Sequence, residues 1–298
     1  MITSEISASD LLAALSVKTK TTETTTPKVL FTTMSGATLA KPDTNAEKLV
    51  YVPQSLLFDF QKVICDQDAK LANMMPTSSF FERKVRELGI NQGDSLVIYD
   101  DFGNFCASRV WFMFKAMGHD NVKVLSGGLP QWLAMNFPVQ ANLTSASVMG
   151  DFIAKPDKNY QFVDCEFIAS NVFTNNGEKF TLLDARSSQR FSAQEAEVRP
   201  NLRSGHIPNS VNVYYKDIQN EISSFADFDY LREAFQRATG KLDLGALAFS
   251  CGSGVTACIL AQAADALGYR PLYVYDGSWS DWGARSELPL ETGHSRGD

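Results

Sequence analysis

Cys251 closes the apolar run "ALAFS" and is followed by Gly252, Ser253, Gly254, Val255 and Thr256, after which "ACILAQAADALG" reads as a helix. A thiol at the end of a strand, ahead of a glycine-bearing loop and a helix N-terminus, is placed for nucleophilic chemistry. In a parallel sheet, ligands bind beyond the carboxyl ends of the strands. Gly252 and Gly254 admit backbone conformations closed to other residues, so successive amide N–H groups can turn inward and cradle an anion. The following helix adds positive potential, worth about 0.3–1 kcal/mol and up to about 2 kcal/mol when partly buried. Such surroundings favour the thiolate near neutral pH, and the thiolate is the nucleophile.

Several chemistries use a strand–loop–helix unit of this kind. A phosphate-binding P-loop needs GxxxxGK[ST], and the Lys is missing here. A dinucleotide loop needs GxGxxG; Gly252 and Gly254 supply the first half, but Ala257 takes the last position. A cysteine-dependent phosphatase needs Arg after five residues to hold phosphate bidentately, and that position is again Ala257. Sulfur transfer remains. The thiolate accepts a sulfur atom, the loop amides stabilise the persulfide, and the sulfur is passed on. The other cysteines, Cys65, Cys106, Cys165 and Cys258, read as small buried hydrophobes.

The elements that position this loop occur twice. "SLVIYDDFGNFCASRVWFMFKAMGHDNVKVLSGGLPQW" (95–132) can be laid on "LAFSCGSGVTACILAQAADALGYRPLYVYDGSWSDW" (247–282). Each reads as strand, loop, helix, Gly, strand, Gly turn and Trp. A weaker match sets "YVPQSLLFDF" (51–60) on "HIPNSVNVYY" (206–215). Matches in the same order imply a duplicated domain. The apolar runs lack polar alternation, so each copy is expected to be an α/β unit with a mainly parallel sheet covered by helices on both faces. The boundaries are set at 1–140 and 159–298, with a linker over 141–158 where periodicity gives way to Pro, Ser, Asn and Gly. "YLREAFQRATG" (230–240) reads as an amphipathic helix stopped by Gly240, and the Thr/Lys-rich stretch 16–28 as a loop. In the first copy Asp100 stands opposite Cys251. A carboxylate cannot do thiolate chemistry and is expected to disfavour an anion cradle, which makes that copy catalytically silent.

Composition narrows the partners. The 298-residue chain is 44% hydrophobic and 20% charged, ordinary for a globular protein of about two domains. Its net charge of −7 argues against nucleic acid, which needs a cationic face. No apolar run approaches the length that spans a bilayer, and the N-terminus lacks the pattern of a signal peptide. The cysteine count is odd at five, with no CxxC and no Cys/His cluster. That speaks against a disulfide framework or zinc and for a reducing, cytoplasmic setting.

These motifs together resemble the two-domain rhodanese-like sulfurtransferases. "LLDARSSQRF", "RSGHIPNSVNV", "SCGSGVTA" and "YDGSWSDWG" carry the resemblance in the second half, and "VIYDDFGNF", "SRVWFMFKAMGH" and "VLSGGLPQW" in the first. "CGSGVT" is similar to the loop of the 3-mercaptopyruvate branch, whereas the thiosulfate branch carries basic residues there. The resemblance implies no metal or organic cofactor. It implies a small-molecule sulfur donor and an acceptor thiol, thioredoxin-like in character, or cyanide. It assigns Arg190 and Arg199 to the substrate's carboxylate and keto group; the residues alone read as surface arginines, though the guanidinium fork suits a carboxylate. Because the loop is neutral, these arginines supply the positive charge. In some members the loop serine, here Ser253, joins a His and an Asp of the first domain. Asn73 and Gln61 are the nearest matches and neither is a base, so Ser253 is expected to donate a hydrogen bond to substrate. His206 is expected to bond at a buried turn, Asp184 to order the "DARS" turn with Arg186, Asp276 and Trp279 to fix the last turn, and Trp111, Trp132 and Trp282 to be core.

Overall fold

The computed structural model describes residues 4–16, 26–36, 49–173, 179–197, 199–241 and 244–293. Two compact units emerge. The first comprises Met1–Gln67, Pro76–Pro156 and Glu221–Ser224, and the second Asp68–Met75, Asp157–Asn220 and Phe225–Asp298. Each unit therefore takes in a short segment from the other half of the sequence. In the first, Ser224 Oγ donates to Glu5 Oε2 at 2.8 Å. In the second, the Met75 N–H donates to Asp276 Oδ2 at 2.6 Å.

The first unit runs β1 (Glu5–Ile6), α1 (Ala8–Ser16), β2 (Lys28–Thr32), β3 (Leu56–Leu57), α2 (Ser78–Glu87), β4 (Leu96–Asp100), α3 (Ala107–Ala116), β5 (Val122–Leu125) and α4 (Gly128–Ala134). The second runs β6 (Tyr160–Val163), α5 (Cys165–Val172), β7 (Thr181–Asp184), α6 (Ser188–Phe191), β8 (Val211–Asn212), a 3-10 turn (Tyr215–Ile218), α7 (Phe228–Thr239), β9 (Leu247–Ser250), α8 (Ala257–Ala266), β10 (Leu272–Tyr275) and α9 (Ser278–Trp282). The strand orders are β1-β5-β4-β2-β3 and β6-β10-β9-β7-β8. Strand for strand these are the same order, and every pair is parallel. The α/β class and the duplication expected from the sequence are both present.

The sequence explains the central layer. Every residue of β4 and of β9 is buried, as strands with helices over both faces require. The helix that follows β4 is buried along its whole length, and most of α8 is as well. On the surface, α7 starts at Phe228, two residues ahead of the expected stretch, because Asp227 accepts the Tyr230 N–H as N-cap. It stops at Gly240, whose φ of 66° suits glycine.

Matched fastenings recur in the two units. Trp132 Nε1 donates to Pro138 O at 2.8 Å and Trp282 Nε1 to Pro289 O at 2.7 Å. Tyr51 bridges Gln140 as His206 bridges Glu291, which accounts for the weaker sequence match. The stretch after α4 has no helix, yet it is held down: Thr144 N–H donates to Ser55 O, Gly150 N–H to Arg86 O, Phe152 N–H to Ile90 O and Lys155 N–H to Met117 O. Phe152 is fully buried and packs on Phe81 and Phe114. Most of the Thr/Lys-rich stretch, residues 17–25, lies outside the described residues. Among the described residues no helix is long and apolar enough to cross a membrane.

Candidate active site

β9 delivers Cys251 to the carboxyl edge of the second sheet, where it is 1% exposed. The loop behind it is tied to the start of α9. Trp279 N–H donates to Cys251 O at 3.0 Å and Ser280 N–H to Gly252 O at 2.9 Å. Ser278 contributes most. Its hydroxyl accepts the N–H of Cys251 and the N–H of Gly254, each at 3.1 Å, and donates to Tyr275 O at 2.7 Å. Its φ is 49°, a left-handed conformation that costs a non-glycine residue about 1–2 kcal/mol. Three buried hydrogen bonds offset that cost. Gly254, at φ 70°, takes the turn that its lack of Cβ allows.

The first unit shows what such a loop does with its amides. Asp100 ends β4 and is fully buried. Its Oδ1 accepts the N–H groups of Phe102, Gly103 and Asn104 at 3.0, 2.9 and 3.0 Å. Its Oδ2 accepts those of Phe105, Cys106 and Ala107 at 2.8, 2.7 and 2.8 Å. The carboxylate does not disfavour the anion cradle, contrary to the sequence expectation; it occupies it. Sequence position alone does not show which way six N–H vectors point, and here they converge on the residue that ends the strand.

In the second unit the strand ends in sulfur instead. The Gly254 N–H goes to Ser278. The N–H groups of Val255, Thr256 and Ala257, which lead into α8 as those of Phe105, Cys106 and Ala107 lead into α3, make no hydrogen bond to any described residue. Val255 is buried, and Gly252, Ser253 and Thr256 are half-buried. Amides without an internal acceptor, at a helix start beside Cys251, can bind an anion that arrives from outside.

Arg190 lies on α6, and Arg199 on the loop that follows. Both are bound by Glu197, which the sequence reading missed. Glu197 Oε2 accepts Arg190 Nη2 at 2.9 Å and Arg199 Nη2 at 3.2 Å, while Oε1 accepts Arg199 Nε at 2.9 Å. The Glu197 side chain is 2% exposed. Burial pushes its carboxyl up, but the hydrogen bonds and charges of Arg199 and Arg190 outweigh that and hold it at about 2. Arg199 continues to the loop: Nη1 donates to Gly252 O at 2.8 Å and to Ser280 Oγ at 2.7 Å. A Cβ on Gly252 would meet the Arg199 guanidinium at 3.4 Å.

The donor inventory separates the two arginines. A guanidinium has five N–H groups. Arg199 commits four of them to Glu197, Gly252 and Ser280. Arg190 commits one, and its buried Nε has no partner among the described residues. Arg190 therefore keeps donors uncommitted among the described residues, whereas Arg199 braces the loop.

Two tyrosines stand next to these groups. Tyr215 is close enough to Cys251, and Tyr214 to Arg190, for their charges to interact, and burial pushes both phenols up. Ser253 makes no hydrogen bond to a described residue. Gln61 is bound to Ser35 in the first unit, whereas Asn73 is buried in the second.

The remaining expectations concern support. His206 is buried, with Nδ1 2.9 Å from Phe191 O. Asp184 binds Arg186 through both oxygens, and the Arg186 guanidinium lies over Trp279. Asp276 holds Met75, and Trp279 Nε1 donates to Arg203 O. Trp111, Trp132 and Trp282 are core. All five cysteines are buried and unbridged.

The rhodanese-like domain family matches residues 61–135 and 172–285. A thiosulfate/3-mercaptopyruvate sulfurtransferase of Arabidopsis thaliana mitochondria is 35% identical over 261 residues, 82% of this chain and 68% of the relative. A 3-mercaptopyruvate sulfurtransferase of Escherichia coli K12 is 33% identical over 243 residues, covering 81% of this chain and 83% of the relative. A crystal structure of the 3-mercaptopyruvate sulfotransferase SseA from Escherichia coli superposes with a TM-score of 0.73 at 26% identity, over 94% of this chain and 100% of that one.

Proposed function

The chain belongs to the rhodanese-like family, and from that premise we propose that it is a sulfurtransferase that takes sulfur from 3-mercaptopyruvate and passes it to a thiol or cyanide through Cys251. One observation carries the reading: the amides of Val255, Thr256 and Ala257 lack acceptors among the described residues behind a strand-end cysteine, where the sister loop closes on a carboxylate. The similarity to 3-mercaptopyruvate sulfurtransferases supports the choice of donor.

In the first step the Cys251 thiolate attacks the donor sulfur. An S–S bond forms, the C–S bond breaks, and its electron pair leaves on carbon as the enolate of pyruvate, which takes up a proton. Arg190 holds the carboxylate through its uncommitted N–H groups, and Arg199 faces the keto oxygen with its remaining donor while bracing Gly252. Ser253 donates a hydrogen bond to the substrate. The persulfide, once deprotonated, is stabilised by the loop amides, with Gly252 and Gly254 shaping the turn and Val255 and Thr256 contributing N–H groups. In the second step an acceptor thiolate attacks the outer sulfur and Cys251 leaves as thiolate. Two half-reactions give ping-pong kinetics. The acceptor is a thiol of thioredoxin-like kind. Five unbridged cysteines support a reducing, cytoplasmic setting.

Intact mass after mixing with 3-mercaptopyruvate, without acceptor, should show one added sulfur on Cys251. Cys251→Ser should show none and should lose pyruvate release by at least ~10³-fold, as removal of a covalent nucleophile does elsewhere. Substantial pyruvate release by that variant rules out the assignment.

A further inference from the structure

The bond network around the two arginines sets their charge as well as their position. Glu197 lies two residues before Arg199 and seven after Arg190, and its carboxylate contacts both. Its backbone N–H is fixed by Ser204 Oγ at 3.0 Å, and the Arg199 N–H also donates to Oε1. The side chain is almost fully enclosed, while Arg190 and Arg199 remain 17% and 31% exposed. Two cations and one enclosed anion sum to a single positive charge, carried by the two more exposed partners. Arg186, a further cation of this unit, is cancelled by the two-oxygen contact with Asp184. Glu197 stays ionised throughout the neutral range because the arginines hold it far below its ordinary value.

We propose that Glu197 is a specificity-determining residue, limiting the arginine pair to one net positive charge and so matching the site to a monoanionic α-keto carboxylate rather than to a dianionic sulfur donor. This rests on the sulfurtransferase reading above. A monoanion neutralises the pair and leaves no surplus charge. A dianion such as thiosulfate leaves one negative charge uncompensated, next to a cysteine that must itself be a thiolate. No loop side chain compensates that charge, since Gly252, Ser253, Gly254, Val255 and Thr256 are all neutral. Specificity then comes from disfavouring the wrong donor as much as from binding the right one.

The test compares kcat/KM for thiosulfate and for 3-mercaptopyruvate in the intact enzyme, in Glu197→Gln and in Glu197→Asp. Glu197→Gln removes the negative charge and keeps the shape, and should raise the thiosulfate-to-mercaptopyruvate ratio by about tenfold, which corresponds to about 1.4 kcal/mol of discrimination. Glu197→Asp keeps the charge but shortens the reach, and should lower both rates with little change of ratio. A ratio unchanged in Glu197→Gln, with both rates falling together, shows a merely structural residue and overturns the proposal. Should that variant fail to fold, inhibition of the intact enzyme decides: malonate dianion binding several-fold more weakly than pyruvate supports the proposal, and equal or tighter malonate overturns it. If the intact enzyme releases no pyruvate from mercaptopyruvate, the underlying functional reading has failed, not the charge argument.

Discussion

The loop after β4 and the loop after β9 join equivalent strands to equivalent helices, and they end in opposite chemistry. In the first, Asp100 gathers six N–H groups onto its own carboxylate. In the second, Cys251 stands at the strand end and three of the amides leading into α8 make no bond to a described residue. A second pair of positions enforces the contrast. Gly128 opens α4 at φ 54°, and a Cβ there would lie 2.7 Å from Asp100 O. Ser278 opens α9 in the same left-handed region and has turned the extra atoms to use, binding the N–H groups of Cys251 and Gly254. A ring of amides is therefore not in itself a catalytic device. It stabilises the fold when the anion is built in, and it can serve chemistry when the anion has to arrive.

Replacing Asp100 breaks this comparison most forcefully. Asp100→Ala leaves six N–H groups without their acceptor. Since each buried unsatisfied group costs about 1–3 kcal/mol before relaxation or water entry, a net loss near ~3 kcal/mol is conservative. It should lower the melting temperature by roughly 6–12 °C, for about 2–4 °C per kcal/mol. Turnover per folded molecule, assayed well below the transition, should be unchanged. Thermal unfolding and active-site-normalised pyruvate release measure the two effects. A large loss of turnover with no loss of stability would put Asp100 in the chemistry and end the contrast.

Ser278→Ala makes the opposite test. It removes the acceptor for the N–H groups of Cys251 and Gly254, so pyruvate release should slow by about tenfold, the scale of one lost buried hydrogen bond of about 1.4 kcal/mol. Melting should shift less than for Asp100→Ala. Unchanged kinetics would mean that the loop holds its shape without the serine.

The smallest effect is on acid stability. The Glu197 carboxyl is held at about 2 against an ordinary value of 4.5. A depressed carboxylate stabilises the folded state above its unfolded value, and the contribution is lost as pH falls through the folded one. The stability advantage of the native protein over Glu197→Gln should therefore be full above pH 4.5 and shrink toward pH 2. Thermal melts of both proteins across that window check the sign; an advantage that grows as pH falls contradicts it.

Much of the frame was legible in the sequence because it depends on local pattern. "LVIYD" and "LAFSC" announce buried parallel strands, and Gly118 and Gly268, at φ 78° and 88°, mark equivalent helix ends. Trp132 and Trp282 sit at equivalent places because each ring N–H has the same kind of carbonyl to reach. Cys251 was found the same way, from a strand end and two glycines. Glu197 and Ser278 escaped because their roles depend on direction and on partners across the fold: Ser278 meets Cys251 only when β9 and α9 are brought together. Asp100 was located correctly and its relation to the amides misjudged, since spacing carries no information on where N–H vectors aim. Arg190 and Arg199 looked like a pair, yet the first bonds Glu197 alone while the second also holds Gly252 and Ser280.

The chain that leaves α4 carries a practical lesson for dissecting the molecule. It is stitched in turn to Ser55, Arg86, Ile90 and Met117, and it places Phe152 against Phe81 and Phe114. Clipped after Gln140, the first unit would lose an aromatic wedge and four seams at once, baring greasy surface that invites clumping. Anyone expressing that unit should carry the chain at least through Pro156, where its longest continuous run ends.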